Sequence, residues 1–205
     1  MSKLVNDLVQ KGYLKSERII DAFSEISRIE FVPDEFQLQA EADVSLPVGF
    51  GQMIPSPMVA AMMLELLEPR EGNRVLDAAF GTGWLATILA YVVGEAGKVV
   101  ALEKNAELKE IGKYNVEKFG YVRKGIVQFP EEAQIADYLT GDAFDRILLV
   151  SGLEMDLAEL KSSLKVGGKM VICVRNDVTY FEKKAEDEFL EEKYSSFSSE
   201  PLLVR

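Results

Sequence analysis

There is no histidine anywhere in the 205-residue chain. That absence removes Ser-His-Asp nucleophilic catalysis, His-ligated zinc and His general-base chemistry. No metal site is expected, and any reaction must run on carboxylates, hydroxyls, amides or a bound cofactor. Cysteine is nearly absent too. The single one, Cys173, lies in an apolar run and reads as a buried, reduced thiol. Basic residues are in deficit, 23 Lys and Arg against 34 Asp and Glu, for a net charge of −11. That balance argues against nucleic-acid binding, which needs cations to neutralise phosphates. No apolar run approaches a membrane span, and the charged start Met1-Ser2-Lys3 has no secretory apolar stretch behind it. A monomeric, cytoplasmic protein without membrane or nucleic-acid partners is expected. What the chain has is apolar residues, 48% of the total, enough for one sizeable core.

The stretch that organises the rest is residues 73–103. Val75-Leu76 is a short apolar strand closed by Asp77, and Gly81 and Gly83 follow in a tight turn. Residues 84–93 are nearly all apolar, as in a helix buried against a sheet, and Val99 to Leu102 is a second strand ending in Glu103. A strand–turn–helix–strand of about thirty residues is the size of a βαβ unit. A glycine turn at a helix N-terminus offers free N–H donors, and an acid ending the second strand can accept both hydroxyls of a ribose. An adenosine-containing cofactor is therefore expected. The plainer alternative is that the glycine pair serves helix–strand packing alone.

Upstream, residues 3–11 carry Leu4, Val5, Leu8 and Val9 on one helical face. Ser16 is placed to cap a second helix with Ile19, Ile20, Phe23 and Ile26 inward. Residues 34–55 read as irregular and mostly extended. Ser56-Pro57 is a helix N-cap followed by Pro at the first helical position. The methionines after it, Met58, Met62 and Met63, read as core filler. Downstream come a helix over 106–119 with Leu108, Ile111, Val116 and Phe119 inward, and a strand at 125–128. A buried strand at 144–150, a helix over 157–164 and a turn at Val166-Gly167-Gly168 follow. A strand at 169–174 leads to a hairpin whose solvated turn is the charged run 183–188. The β-α alternation predicts an α/β fold with a doubly wound, mostly parallel seven-stranded sheet behind an N-terminal helical segment. One domain spans residues 1–205: a helical and lid segment (1–56), a cofactor-binding core (57–175) and a hairpin (176–205).

Gly81-x-Gly83-x-x-Ala86, with Glu103 about twenty residues on, also fits the dinucleotide fingerprint. An NAD-dependent oxidoreductase is thus an alternative, although the chain has no second mononucleotide half. The Tyr114/Lys118 and Tyr180/Lys184 pairs read as chance. A nucleic-acid methyltransferase, suggested by the turn Asp77-x-Ala79-x-Gly81-x-Gly83, would want an Asn/Asp-Pro-Pro-aromatic loop. The chain has Ser151-Gly152-Leu153-Glu154 there.

A more extensive match runs through residues 15–175. Ala40, Asp43, Leu46, Pro47, Val48, Gly49, Gly51, Gln52, Ile54 and Pro57 stand in register with one signature. Arg28-x-x-Phe31-Val32-Pro33, Val75-Leu76-Asp77, Gly81-x-Gly83, Phe144-Asp145-Arg146-Ile147 and Leu164-Lys165-x-Gly167-Gly168 accompany it. In these the chain resembles the protein-L-isoaspartate O-methyltransferases, which use S-adenosyl-L-methionine and carry a class I methyltransferase fold. The resemblance implies a cofactor site at Asp77, Ala79, Phe80, Gly81, Gly83 and Glu103. It implies a substrate segment with Val48, Gln52, Ile54 and Pro55 that holds an isoaspartyl peptide or protein. It also implies methyl transfer to the isoaspartyl carboxylate, a protein-repair reaction, and an antiparallel last strand. The chain departs at Met53 and Pro55, where the family has Thr and Ser, at Ala79-Phe80 for Gly-Thr, and at Cys173-Val174-Arg175 for Pro-Val-Gly. At Phe129-Pro130-Glu131 it lacks the family's Asp that faces the adenine. Pro130 offers no side-chain acceptor, so Glu131 is the partial substitute. Ser56 is the nearest hydroxyl to the missing Ser, and its alternative role is the helix cap. A diverged relative with weak or no isoaspartyl activity is the second reading.

Overall fold

The computed structural model describes residues 1–131, 135–141, 143–150, 155–174 and 177–194. Helices α1 (Lys3–Gln10) and α2 (Glu17–Glu25) bury Val5, Leu8, Ile19 and Phe23 on the faces their periodicity selects. Ser16 does not cap α2 with its side chain. Its Oγ donates to Glu65 Oε2 at 2.6 Å, tying the start of α2 to α3 (Pro57–Leu67). Between these helices the chain is more ordered than its sequence suggests. Two 3-10 turns, Arg28–Phe31 and Asp34–Gln39, lead into an antiparallel hairpin of β1 (Leu46–Gly49) and β2 (Gln52–Ile54).

The core is one seven-stranded sheet. Its members are β3 (Arg74–Asp77), β4 (Lys98–Ala101), β5 (Val127–Gln128), β6 (Phe144–Val150), β7 (Leu164–Val174), β8 (Asp177–Ala185) and β9 (Glu188–Tyr194). They stand in the order β5-β4-β3-β6-β7-β8-β9. The first five are mutually parallel, and β3 and β6 lie side by side at the centre, with Leu76 opposite Ile147. The buried stretches Val75-Leu76 of β3 and Ile147-Leu148-Leu149-Val150 of β6 are apolar, as a sheet covered on both faces requires. The crossovers are α4 (Trp84–Val93), α5 (Ala106–Lys118), α6 (Ile135–Tyr138) and α7 (Leu157–Ser162). The Phe144-Asp145-Arg146 motif is a brace. Asp145 Oδ2 accepts the Arg74 N–H at 2.7 Å, and Arg146 Nε donates to Glu68 O at 2.9 Å.

Four expectations are corrected. Residues 164–168 do not end a helix and turn; they belong to β7, which absorbs the extra residues as a bulge between its pairings with Phe144 and Arg146. The hairpin turn is shorter than the charged run. Lys183 is a paired strand residue with 0% exposure, because hairpin register, not charge, sets its face. The strand that opposes the parallel five is β8, and β9 pairs antiparallel with it, so the last strand runs with the majority. Ile111 is 42% exposed, because α5 buries the face of Leu108, Gly112, Asn115 and Val116 instead. Among the described residues, no helix is long and apolar enough to cross a membrane. Residues 151–154 and Arg175, where the sequence departs from methyltransferase loop patterns, lie outside the described residues.

Candidate active site

The loop after β3 is tied to the strands on both sides of it. Ala78 N donates to Leu148 O at 2.8 Å and Phe80 N to Leu102 O at 3.1 Å, so β6 and β4 hold it from either side. Gly81 (φ 58) and Gly83 (φ 93) turn the chain into α4, and they do so for different reasons. A Cβ at Gly81 would meet no atom within 4 Å, whereas one at Gly83 would sit 2.8 Å from Val116 Cγ2 and 3.1 Å from Gly112 O. Gly81 therefore opens space beside the turn. Gly83 lets α4 pack on α5, so the packing explanation holds for that glycine.

Two carboxylates flank this turn. Glu103 accepts the Gly81 N–H at 3.2 Å through Oε2 and the Asn105 N–H at 3.0 Å through Oε1. Each oxygen keeps a lone pair for a further donor. Asp77 is 1% exposed and neither oxygen has a hydrogen bond. Burial pushes its carboxyl up to about 7, the nearby Ala79 N–H pulls it back in part without good bonding geometry, and the charge on Glu103 raises it further.

Above the turn lies a narrow cleft. Val48, Gln52, Ile54 and Pro55 line it from the β1–β2 hairpin side. Ala79, Phe80, Gly81 and Glu103 line it from the sheet side. The structure thus brings together two groups of sequence-nominated residues that are far apart in the chain. Four nominated residues fall outside its lining. Asp77 is buried at the end of β3. Gly83 is under α5. Ser56 is 7% exposed, and its Oγ accepts the Val59 N–H at 3.4 Å as the α3 cap. The Glu131 side chain is 73% exposed and lies 3.6 Å from Lys109 Nζ, away from the cleft.

The sequence reading missed Met53, Thr82, Trp84, Leu85 and Val150, which also line the cleft. Trp84 is the single tryptophan, and its Nε1 is buried without a hydrogen-bond partner. Its position directly after the glycine turn was the available signal. The larger omission is the role of Arg28. This guanidinium is 3% exposed and lies over the Trp84 ring, 5.4 Å from its centroid. It donates to the carbonyls of Ala40 (3.1 Å), Val44 (2.9 Å) and Pro55 (3.0 Å), with longer contacts to Ala42 and Ile54. Burial lowers its pKa to about 10, and Asp43 partly restores it. Arg28 is thus the hub that fixes the hairpin's backbone over the cleft.

Comparison with known proteins resolves what this cleft belongs to. The sequence profile of the family described as protein-L-isoaspartate(D-aspartate) O-methyltransferase matches residues 1–199. The chain belongs to that family. Among its isoaspartate O-methyltransferase relatives, the one from Methanopyrus kandleri is 34% identical over 212 residues, covering 98% of this chain and 90% of its own. That from Archaeoglobus fulgidus is 37% identical over 159 residues, with 78% and 72% covered. A crystal structure described as a Plasmodium falciparum isoaspartate O-methyltransferase with S-adenosyl-L-homocysteine superimposes with a TM-score of 0.80. It covers 95% of this chain and 94% of its own at 17% identity, a likeness of fold. The family's cofactor is S-adenosylmethionine, which sets aside the NAD reading. The sheet gives the physical reason: beyond β7 it turns antiparallel, and among the described residues it builds no second mononucleotide half.

The residues present fit that cofactor. The unpartnered Asp77 oxygens, the spare acceptor capacity of Glu103 and the open space at Gly81 are what a cationic, ribose-bearing ligand needs.

Proposed function

We propose that this isoaspartate methyltransferase transfers a methyl group from S-adenosylmethionine to the free α-carboxylate of isoaspartyl residues in peptides and damaged proteins. The observation that supports it is one cleft walled on one side by the signature hairpin and on the other by the glycine turn with its acid. When bound, S-adenosylmethionine supplies an electrophilic methyl group on a sulfonium sulfur. A carboxylate is ionised at neutral pH and attacks without a general base, so a chain lacking histidine is sufficient. The protein's contribution is alignment and exclusion of water. Asp77 faces the cationic amino-acid end, Gly81 lets the backbone approach, and Glu103 takes the ribose hydroxyls. Val48, Gln52, Ile54 and Pro55 hold the substrate, with Arg28 keeping their backbone in place. Met53 and Pro55 make this wall apolar, so orientation rests on backbone groups and Gln52, and Ser56 serves only its helix. We read the enzyme as a one-domain monomer, and the free, buried Cys173 fits a reducing, cytoplasmic setting.

The second reading, a relative with weak or no such activity, draws on the same Met53 and Pro55. Labelled cofactor decides between them. Incorporation into an isoaspartyl peptide as a base-labile ester, and not into its aspartyl isomer, is expected. No incorporation at saturating peptide overturns the proposal.

A further inference from the structure

A second cavity of ≈ 390 Å³ lies beside the cleft. Val48 and Thr82 line both, so the two are adjacent. Its apolar lining includes Phe31 and Val32, and its rim carries Ile29 and Ile111, two exposed isoleucines at 38% and 42%. Ile29 and Ile111 face one groove, and α5 spends a position on Ile111 that its own core does not use. Half of the lining is polar, and its charged groups are paired: Asp34 Oδ1 accepts from Gln37 Nε2 at 2.9 Å. Lys118 is paired with Glu30 at 3.1 Å. Asn115 is 6% exposed, and its Nδ2 donates to Thr82 O at 3.1 Å, which leaves its amide oxygen as the end able to accept. A groove beside the cleft, whose charged side chains pair with one another and whose other half is apolar, suits a short extended peptide bearing an apolar side chain.

Resting on the function proposed above, we infer that this groove is a specificity subsite: it takes an apolar side chain next to the isoaspartyl residue of the substrate. The shared lining at Val48 and Thr82 puts the groove next to the cleft and argues for a neighbouring residue of the same peptide as occupant. The enzyme would then select among damage sites by their flanks as well as by the isoaspartyl link.

Two isoaspartyl peptides test it, one flanked by Leu and one by Gly. The wild type should show a KM about ten-fold lower for the Leu peptide, the effect of burying one apolar side chain. Ile111→Glu and Ile29→Glu change exposed positions and should leave thermal midpoints and cofactor binding, read from Trp84 fluorescence, unchanged. Each should raise KM for the Leu peptide toward that of the Gly peptide and leave the Gly peptide's kinetics alone. Equilibrium binding of the labelled Leu peptide with S-adenosylhomocysteine present gives the same comparison without turnover. If both peptides are methylated with equal KM and the Glu variants bind the Leu peptide normally, the groove is not a subsite and the function stands. If neither peptide is methylated but Leu-peptide binding is selective and lost in Ile111→Glu, the groove stands and the function fails. Absence of both methylation and selective binding overturns both.

Discussion

Asp77 should make stability pH-dependent in a way that one substitution isolates. In the folded protein its carboxyl titrates at about 7, against an ordinary 3.8, because burial strips both oxygens of solvent and neither finds a donor. At about 1.4 kcal/mol per pH unit, that difference amounts to about 4 kcal/mol. Below pH 3.8 both folded and unfolded chains hold the proton, and the penalty is absent. Between 3.8 and about 7 the unfolded chain releases its proton first, so stability falls as pH rises. Above 7 the penalty is complete. Asp77→Asn keeps the shape and removes the charge. Urea unfolding of the cofactor-free protein at several pH values measures the difference, since every other titrating group is common to both. The stability gained by the variant should grow by about 2–3 kcal/mol from pH 5 to pH 8. Wild-type and variant curves that stay parallel over that range would refute the reasoning. A cationic ligand beside Asp77 must draw its pKa back down. S-adenosylmethionine should therefore bind the wild type more tightly at pH 8 than at pH 6, with proton release on binding visible by calorimetry in buffers of different ionisation enthalpy.

Four further expectations follow from the geometry. Glu103→Ala should weaken S-adenosylmethionine by roughly ten- to a hundred-fold in calorimetry, because hydrogen bonds to a charged acceptor are worth about 1.5–3 kcal/mol. Ser56→Ala should cost about 0.5–2 kcal/mol in thermal stability as a lost cap while kcat is unchanged, and a kcat loss without destabilisation would restore the hydroxyl to the chemistry. Gly83→Ala should destabilise by about 1–3 kcal/mol through its clash with Val116, whereas Gly81→Ala should lose cofactor affinity with a smaller change in unfolding midpoint. Arg28→Met should cost about 3 kcal/mol or more by stranding buried carbonyls, and limited proteolysis should then cut within residues 40–55 of the folded protein.

The chain's own pattern determined a great deal. Central strands β3 and β6 and helix α4 were legible because they are buried on nearly every side, and near-continuous apolar runs have few other solutions. The glycine turn and Glu103 were legible because strand, turn, helix and acid are fixed in order and spacing within one βαβ unit. The Ser56 cap was legible because Ser-Pro at a helix start is a local bond. Tertiary structure alone decided the rest. Charge suggested that Lys183 was solvated, but strand register placed it inside. Periodicity suggested that Ile111 was core, but α5 rotated to let Gly112 and Asn115 meet the loop, since Phe80 lies where a side chain at Gly112 would be. The two glycines looked alike until Val116, 33 residues beyond Gly83, showed which one packs. Above all, Arg28 stood in the sequence as the first residue of the Arg28-x-x-Phe31-Val32-Pro33 motif, with no role attached to it. Only the fold reveals that one guanidinium gathers carbonyls from residues 40–55. A backbone acceptor carries no sequence signal, so a hub built on carbonyls becomes visible only when the chain has closed around it.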